Sequence, residues 1–78
     1  MNVIVFTSPG CKPCKDYKDW LDKEKIIYIE KTIEKYEFFL EFKKYKGKGT
    51  PLTIINDIEN SYTYHGFSRL LSQKLLSL

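Results

Sequence analysis

The sequence predicts a single α/β domain, residues 1–78, with a four-stranded mixed sheet and three helices in the order β-α-β-α-β-β-α. Three observations carry that prediction. Short apolar, β-branched runs alternate with amphipathic stretches at helical spacing. Two of those runs are separated by a turn-rich pentapeptide short enough only for a hairpin. Seventy-eight residues, 42% of them apolar and 29% charged, make one ordinary globular core and leave no room for a second. Six Tyr, five Phe and one Trp supply the bulk that such a small core needs.

Residues 2–7 read as a strand apolar on both faces through Val3-Ile4-Val5-Phe6, which marks an interior strand of a covered sheet. Ser8, Pro9 and Gly10 break it. A helix follows from about Lys12 to Glu24, with Pro13 in the first turn, where a missing N–H costs nothing. Cys14, Tyr17, Trp20 and Leu21 fall on one stripe that ends near Glu24, and the charged residues between them face water. Residues 26–30, Ile-Ile-Tyr-Ile-Glu, predict a second buried strand, which completes a βαβ unit with a right-handed crossover. Thr32 then caps a helix from Ile33 to Lys46. Its broad apolar stripe includes Tyr36, Phe38, Phe39, Leu40 and Phe42, lysines load its last turns, and Gly47 ends it. Leu52–Ile55 and Ser61–Tyr64 are the hairpin strands, and the second of them alternates as an edge strand does. His65-Gly66 turns the chain into a last helix, Phe67–Leu78, with Phe67, Leu70, Leu71, Leu75 and Leu78 on one side.

Composition narrows the function. The net charge of +3 is too small and too scattered for a nucleic-acid surface. No stretch approaches the roughly 20 apolar residues of a membrane helix. The N-terminal apolar run is too short and lacks the basic flank of a signal peptide. The expectation is a soluble, cytoplasmic, monomeric protein with no membrane or nucleic-acid partner. The only two cysteines, Cys11 and Cys14, sit between the first strand and the first helix. In a reducing compartment, a Cys-x-x-Cys pair is catalytic or metal-binding more often than structural. A metal site needs four ligands, whereas adding His65 gives only three nitrogen or sulfur donors. A static disulfide closing so short a loop adds little stability. Redox chemistry fits the position better. At the start of a helix, unpaired N–H groups and the dipole stabilise the Cys11 thiolate, and Lys12 and Lys15 add positive charge within a turn. Three residues on, Cys14 falls on the same face, where its sulfur can resolve a mixed disulfide on Cys11.

The element order, the segment Val5-Phe6-Thr7-Ser8-Pro9-Gly10-Cys11-Lys12-Pro13-Cys14, Thr50-Pro51 before the third strand, and Gly66-Phe67 ahead of the last helix together resemble a small glutaredoxin. Within that group the chain is similar to short redoxins that carry electrons to ribonucleotide reductase. The resemblance covers essentially the whole chain and implies the thioredoxin fold. It implies a dithiol oxidoreductase reducing protein disulfides, with Cys11 as nucleophile and Cys14 as resolving thiol. It also implies a cis peptide bond at Thr50-Pro51, with Thr50, Pro51, Gly66 and Phe67 forming the substrate-binding wall. No tightly bound cofactor or metal is implied. The reductant is glutathione or a flavoprotein of the thioredoxin-reductase type. The alternatives are a glutathione-dependent deglutathionylating enzyme and a non-catalytic binding module of the same fold.

Two departures bear on that choice. Glutaredoxins that bind glutathione commonly have an acidic pair after the glycine that opens the last helix, where this chain has Phe67 and Ser68. Pro13 directly precedes the second cysteine, as in thioredoxins. Lys46, Lys48 and Arg69 are candidates to meet an acidic substrate tail or a glutathione carboxylate, and His65 is expected to be an exposed turn residue. Thioredoxins place a buried acid beneath the second cysteine to take its proton, whereas the first strand of this chain, Val3 to Phe6, carries none. The acceptor for the Cys14 proton is therefore water, Lys15 or a group that the sequence does not identify.

Overall fold

Val3-Ile4-Val5-Phe6 offers water no polar face, and the chain places it between two other strands. In the computed structural model, which describes residues 2–78, the elements are β1 (Asn2–Thr7), α1 (Lys12–Lys23), β2 (Ile29–Thr32), α2 (Tyr36–Lys44), β3 (Leu52–Asn56), β4 (Ser61–His65) and α3 (Arg69–Leu76). The sheet order is β2-β1-β3-β4. β1 runs parallel to β2 and antiparallel to β3, and β3 and β4 form the hairpin, with Leu52 opposite His65 and Asn56 opposite Ser61. This is the mixed, four-stranded, three-helix arrangement expected from the sequence.

Alternation along the central strands divides the core in two. Val3, Val5 and Ile55 meet Tyr17 and Leu21 of α1 and Leu71 and Leu75 of α3. On the opposite face, Ile4, Phe6, Leu52 and Ile54 meet Phe42 of α2. Helices therefore cover both faces. Each cluster contains side chains from β1, which ends at the active-site loop.

Several expectations are corrected. Residues 26–30 are not a buried strand: β2 begins at Ile29 and lies at the sheet edge, with Ile29 half-exposed and Ile27 91% exposed. Ile26 and Tyr28 pack against the first core cluster as the chain returns from α1, while Ile27 alternates outward. The apolar run signalled a strand, but only a neighbour on each side would have buried it.

The second helix does not start at Ile33 under a Thr32 cap. The Ile33 N–H donates to the Thr7 carbonyl at 2.9 Å, which prolongs the ladder, and Lys35 N–H donates to the Thr32 carbonyl to form a turn. α2 starts only at Tyr36, with Lys35 at its N-cap. Of its broad stripe only Phe42 is buried, and Tyr36, Phe39 and Leu40 are exposed. A nine-residue helix across one sheet face has a single line of contact, so the rest of the stripe has nothing to cover.

The third helix is also shorter than predicted. Ser68 is its N-cap, accepting from the Leu71 N–H at 3.2 Å, and Phe67 precedes it. Leu71 and Leu75 are buried, whereas Leu70, Leu76 and Leu78 are exposed.

The second helix also stops short of the expected Lys46 and is not ended by Gly47: its last residue is Lys44, with Tyr45 at the C-cap. Lys46 carries the left-handed conformation, with φ of 59°. Gly47 is buried, and a Cβ there would lie 2.5 Å from the Phe42 ring. Phe42 is itself packed edge-on against Phe6, which limits how far its ring can give way. Gly47→Ala is expected to destabilise the fold by about 1–3 kcal/mol, the usual cost of overpacking. A urea melt giving the same midpoint as the parent would contradict this.

Candidate active site

Gly10, with φ of 69°, turns the chain out of β1, and the Cys11 N–H donates to the Ser8 carbonyl at 3.4 Å. The left-handed turn suits glycine because it has no Cβ. Cys11 then becomes the N-cap of α1, and its Sγ accepts from the Cys14 N–H at 3.1 Å. Pro13 occupies the first turn. Cys11 is half-exposed and Cys14 only 2% exposed. The two are joined as a disulfide, with Cα atoms 5.2 Å apart. One sulfur is thus open to a partner and held by a helix N–H, and the other is enclosed beneath it.

The opposite wall comes from the loop before β3. The Thr50–Pro51 peptide bond is cis. The Thr50 hydroxyl donates to Cys11 Sγ at 3.5 Å, and the Thr50 carbonyl oxygen lies 3.7 Å from the same sulfur. Ser8 Oγ is 2.6 Å from Thr50 Oγ1 and ties the two loops together. Gly66, with φ of 71°, donates its N–H to the Pro51 carbonyl at 2.9 Å, so it supports the loop rather than touching the cysteines. Phe67 is 45% exposed and packs against Tyr17 and Trp20, with ring centroids 4.9 and 5.0 Å away. With Lys12, Pro13 and Asp16 these three rings line a cleft of about 510 Å³ on one flank of α1.

Lys12 and Lys15 line a groove with both cysteines, but each ammonium pairs along the helix, with Asp16 at 3.2 Å and Asp19 at 3.1 Å. Both pairs are well exposed, so solvent screens the charge and the carboxylates offset it. The direct stabilisation of sulfur in this structure comes from the Cys14 N–H and the Thr50 hydroxyl. Among the ion pairs of the described residues, none includes Lys46 or Lys48, which line a separate cleft of about 610 Å³ with Thr50, Pro51 and His65. Arg69 begins α3, past Phe67 and Ser68.

Two groups escaped sequence reasoning. Ser8 left no signal beyond its place in the loop. The second group is Glu30, which comes from the edge strand β2. Its Oε2 accepts from the Thr7 hydroxyl at 2.7 Å and from Lys18 Nζ at 3.0 Å. Partial burial works to raise the Glu30 pKa, but the Thr7 and Lys18 hydrogen bonds and the Lys18 charge outweigh it and hold the carboxyl below its ordinary value. A third polar pair lies deeper: Tyr17 Oη is 2.9 Å from Thr53 Oγ1. Burial pushes the Tyr17 phenol up to about 12 against the opposing effect of that hydrogen bond, so it stays neutral. Among the described residues, no three His, Cys, Asp or Glu side chains converge as a metal site, and no helix is long and apolar enough to cross a membrane.

The fold has close counterparts. A mutant of the thioredoxin-like protein BC3987 superposes with a TM-score of 0.80 at 23% identity, over 96% of this chain and 99% of that one. A second crystal structure of BC3987 gives a TM-score of 0.76 at 26% identity, over 96% and 100% of the two chains. No curated protein sequence matches the chain significantly. The glutaredoxin family model matches residues 3–57, which run from β1 through the cysteine pair and the cis-proline loop to the end of β3. With that match spanning most of the sequence and the element order of the thioredoxin fold around it, the chain belongs to the glutaredoxin family.

Proposed function

We propose that the protein is a dithiol oxidoreductase that reduces protein disulfides. The observation that carries this reading is the pairing of a half-exposed Cys11 at a helix N-terminus with an enclosed Cys14 to which it is disulfide-bonded. In the reduced protein, the Cys11 thiolate attacks one sulfur of the substrate disulfide, and the other substrate sulfur leaves as a thiolate. Cys14 then attacks Cys11 Sγ, the bond from Cys11 to the substrate breaks, and the second substrate thiol is released. Two electrons have passed to the substrate, and the internal Cys11–Cys14 disulfide has formed. Lys12 and Lys15 contribute a screened positive field, and Thr50, Pro51, Gly66 and Phe67 form the wall against which the substrate lies.

For the reductant we favour a flavoprotein of the thioredoxin-reductase type over glutathione. Phe67 and Ser68 stand where glutathione-binding relatives commonly present acids, and the Phe67 ring adds apolar surface suited to a protein partner. One feature favours the glutathione reading: Lys46 and Lys48, beside Thr50, can attract a carboxylate. A ribonucleotide reductase is one candidate protein substrate, and a cytoplasmic monomer is the form in which this chemistry would operate. The test compares disulfide reduction driven by NADPH and thioredoxin reductase with reduction driven by NADPH, glutathione and glutathione reductase. The expected result is turnover about tenfold or more faster with the flavoprotein, a difference of about 1.4 kcal/mol in barrier. Faster turnover with glutathione would reverse the assignment.

A further inference from the structure

We propose that Glu30 accepts the Cys14 proton during the resolving step, through water in the groove that both side chains line, with Thr7 and Lys18 holding the carboxylate in place. This rests on the oxidoreductase reading above and extends it to a residue that the sequence did not single out.

The need for such a group is chemical. Cys14 is only 2% exposed, and its thiol must lose a proton as its sulfur attacks Cys11. β1 runs Asn2 to Thr7 without an acid, and Lys15, the one base that the sequence offered, is bound to Asp19 at 3.1 Å on the solvent side of α1. Bulk water is a poor acceptor, and a fixed carboxylate is several pK units more basic.

The structure supplies one. Cys11, Cys14, Thr7, Lys18 and Glu30 line a single open groove of about 680 Å³. β2 pairs with β1 so that Glu30 lies opposite Val5, on the strand next to the one that feeds the cysteine loop. Lys18 is one turn beyond Cys14 on α1. Both anchoring hydrogen bonds go to Glu30 Oε2, and no described residue bonds Oε1. One carboxylate oxygen is therefore fixed and the other is left to accept a proton from water. The depressed pKa keeps Glu30 ionised, ready to accept at neutral pH.

The balance of the step is simple. Cys14 Sγ forms a bond to Cys11 Sγ, the Cys11–substrate bond breaks, and its electron pair departs on the substrate sulfur. The Cys14 proton passes through water to Glu30 and on to the departing thiolate. The charged and titratable groups around Glu30 are Lys12, Lys15 and Lys18 on α1, Glu34 after β2, and Tyr28 before it. Of these only Lys18 is bonded to the carboxylate, and Lys12 and Lys15 are paired with Asp16 and Asp19.

The test uses the reduced protein and a chromogenic aromatic disulfide in stopped flow. The first release of coloured thiolate reports attack by Cys11, and the second reports resolution by Cys14. Glu30→Gln keeps the shape and the acceptor for Thr7 but removes the base. It is expected to leave the first phase unchanged and slow the second about 10²-fold, the scale of a lost general base. The second phase should then rise about tenfold per pH unit, as hydroxide takes over. Lys18→Gln frees the carboxyl from its cation, so the acidic limb of the second phase should move to higher pH while its plateau persists. A purely structural role for the pair would not move that limb. An unchanged second phase in Glu30→Gln overturns the proposal, as does an unmoved limb in Lys18→Gln. If Glu30→Gln fails to fold, the Lys18→Gln limb decides alone. Absence of the first phase in the parent protein would instead overturn the oxidoreductase reading itself.

Discussion

Replacing Cys11 by serine is expected to abolish disulfide reduction, by on the order of 10³-fold or more, as befits loss of the thiolate that attacks the substrate. A hydroxyl at that position stays protonated at neutral pH and is a far weaker nucleophile than a thiolate. The helix N–H of Cys14, 3.1 Å from the sulfur, and the Thr50 hydroxyl at 3.5 Å would then stabilise no anion. Cys14→Ser should behave differently. Its Cys11 still attacks, but nothing resolves the product, so the substrate remains attached through a mixed disulfide. Mass spectrometry under non-reducing conditions should find the adduct on Cys11 in the Cys14→Ser protein and none in Cys11→Ser. Full turnover by Cys11→Ser would sink the mechanism. Turnover by Cys14→Ser with glutathione and its reductase would move the assignment to a deglutathionylating enzyme, which needs mainly the first cysteine.

Phe6→Ala is expected to cost about 3–5 kcal/mol of stability, the range for emptying a buried aromatic site. Phe6 is wholly buried in the central strand, with Phe42 and Tyr45 at ring-centroid distances of 5.8 and 6.2 Å. The sheet and α2 both press on it, so the vacated space cannot close by a local movement. A domain of this size has roughly 4–12 kcal/mol in total at typical stability per residue, and such a loss would leave a substantial unfolded population on warming. Ile58, wholly exposed at the hairpin tip, is the control: Ile58→Ala should change stability by no more than about 0.5 kcal/mol. Urea unfolding of both variants checks the contrast, and similar losses for the two would mean that the core has been misassigned. Phe6 immediately precedes Thr7 and the active-site loop, so activity should fall along with stability.

How far local pattern reaches in this chain is shown by β1 and β2. Val3 to Phe6 and the run from Ile26 to Ile29 look equally apolar, yet the first is sandwiched and the second emerges at an edge with Ile27 in water. Only Ile29 of that run joins the sheet, so pairing decides both which residues form the strand and how far they are buried. The same holds for α2, where aromatic residues around most of the helix suggested a wide buried face, and the sheet accepted only Phe42. Its start is displaced: the Ile33 N–H pairs with the Thr7 carbonyl in the sheet, and Thr32 Oγ1 accepts only the Glu34 N–H at 3.4 Å, as part of a turn.

The site divides along the same line. The sequence by itself determined the element order and the place of Cys11 and Cys14 at the junction of strand and helix, whereas the loops expected to face them came from the family resemblance. The element order and the cysteine placement depend on spacing, turn chemistry and helix-end effects within a few residues of one another. Only the tertiary structure decided what surrounds the sulfurs. Thr50 meets Cys11, and Glu30 arrives from the far edge strand to join Thr7 and Lys18. Glu30 and Thr7 are 23 residues apart, and Cys11 and Thr50 are 39 apart. Contacts of that separation exist only once parallel and antiparallel pairing have fixed the register of the sheet, and no local pattern encodes them.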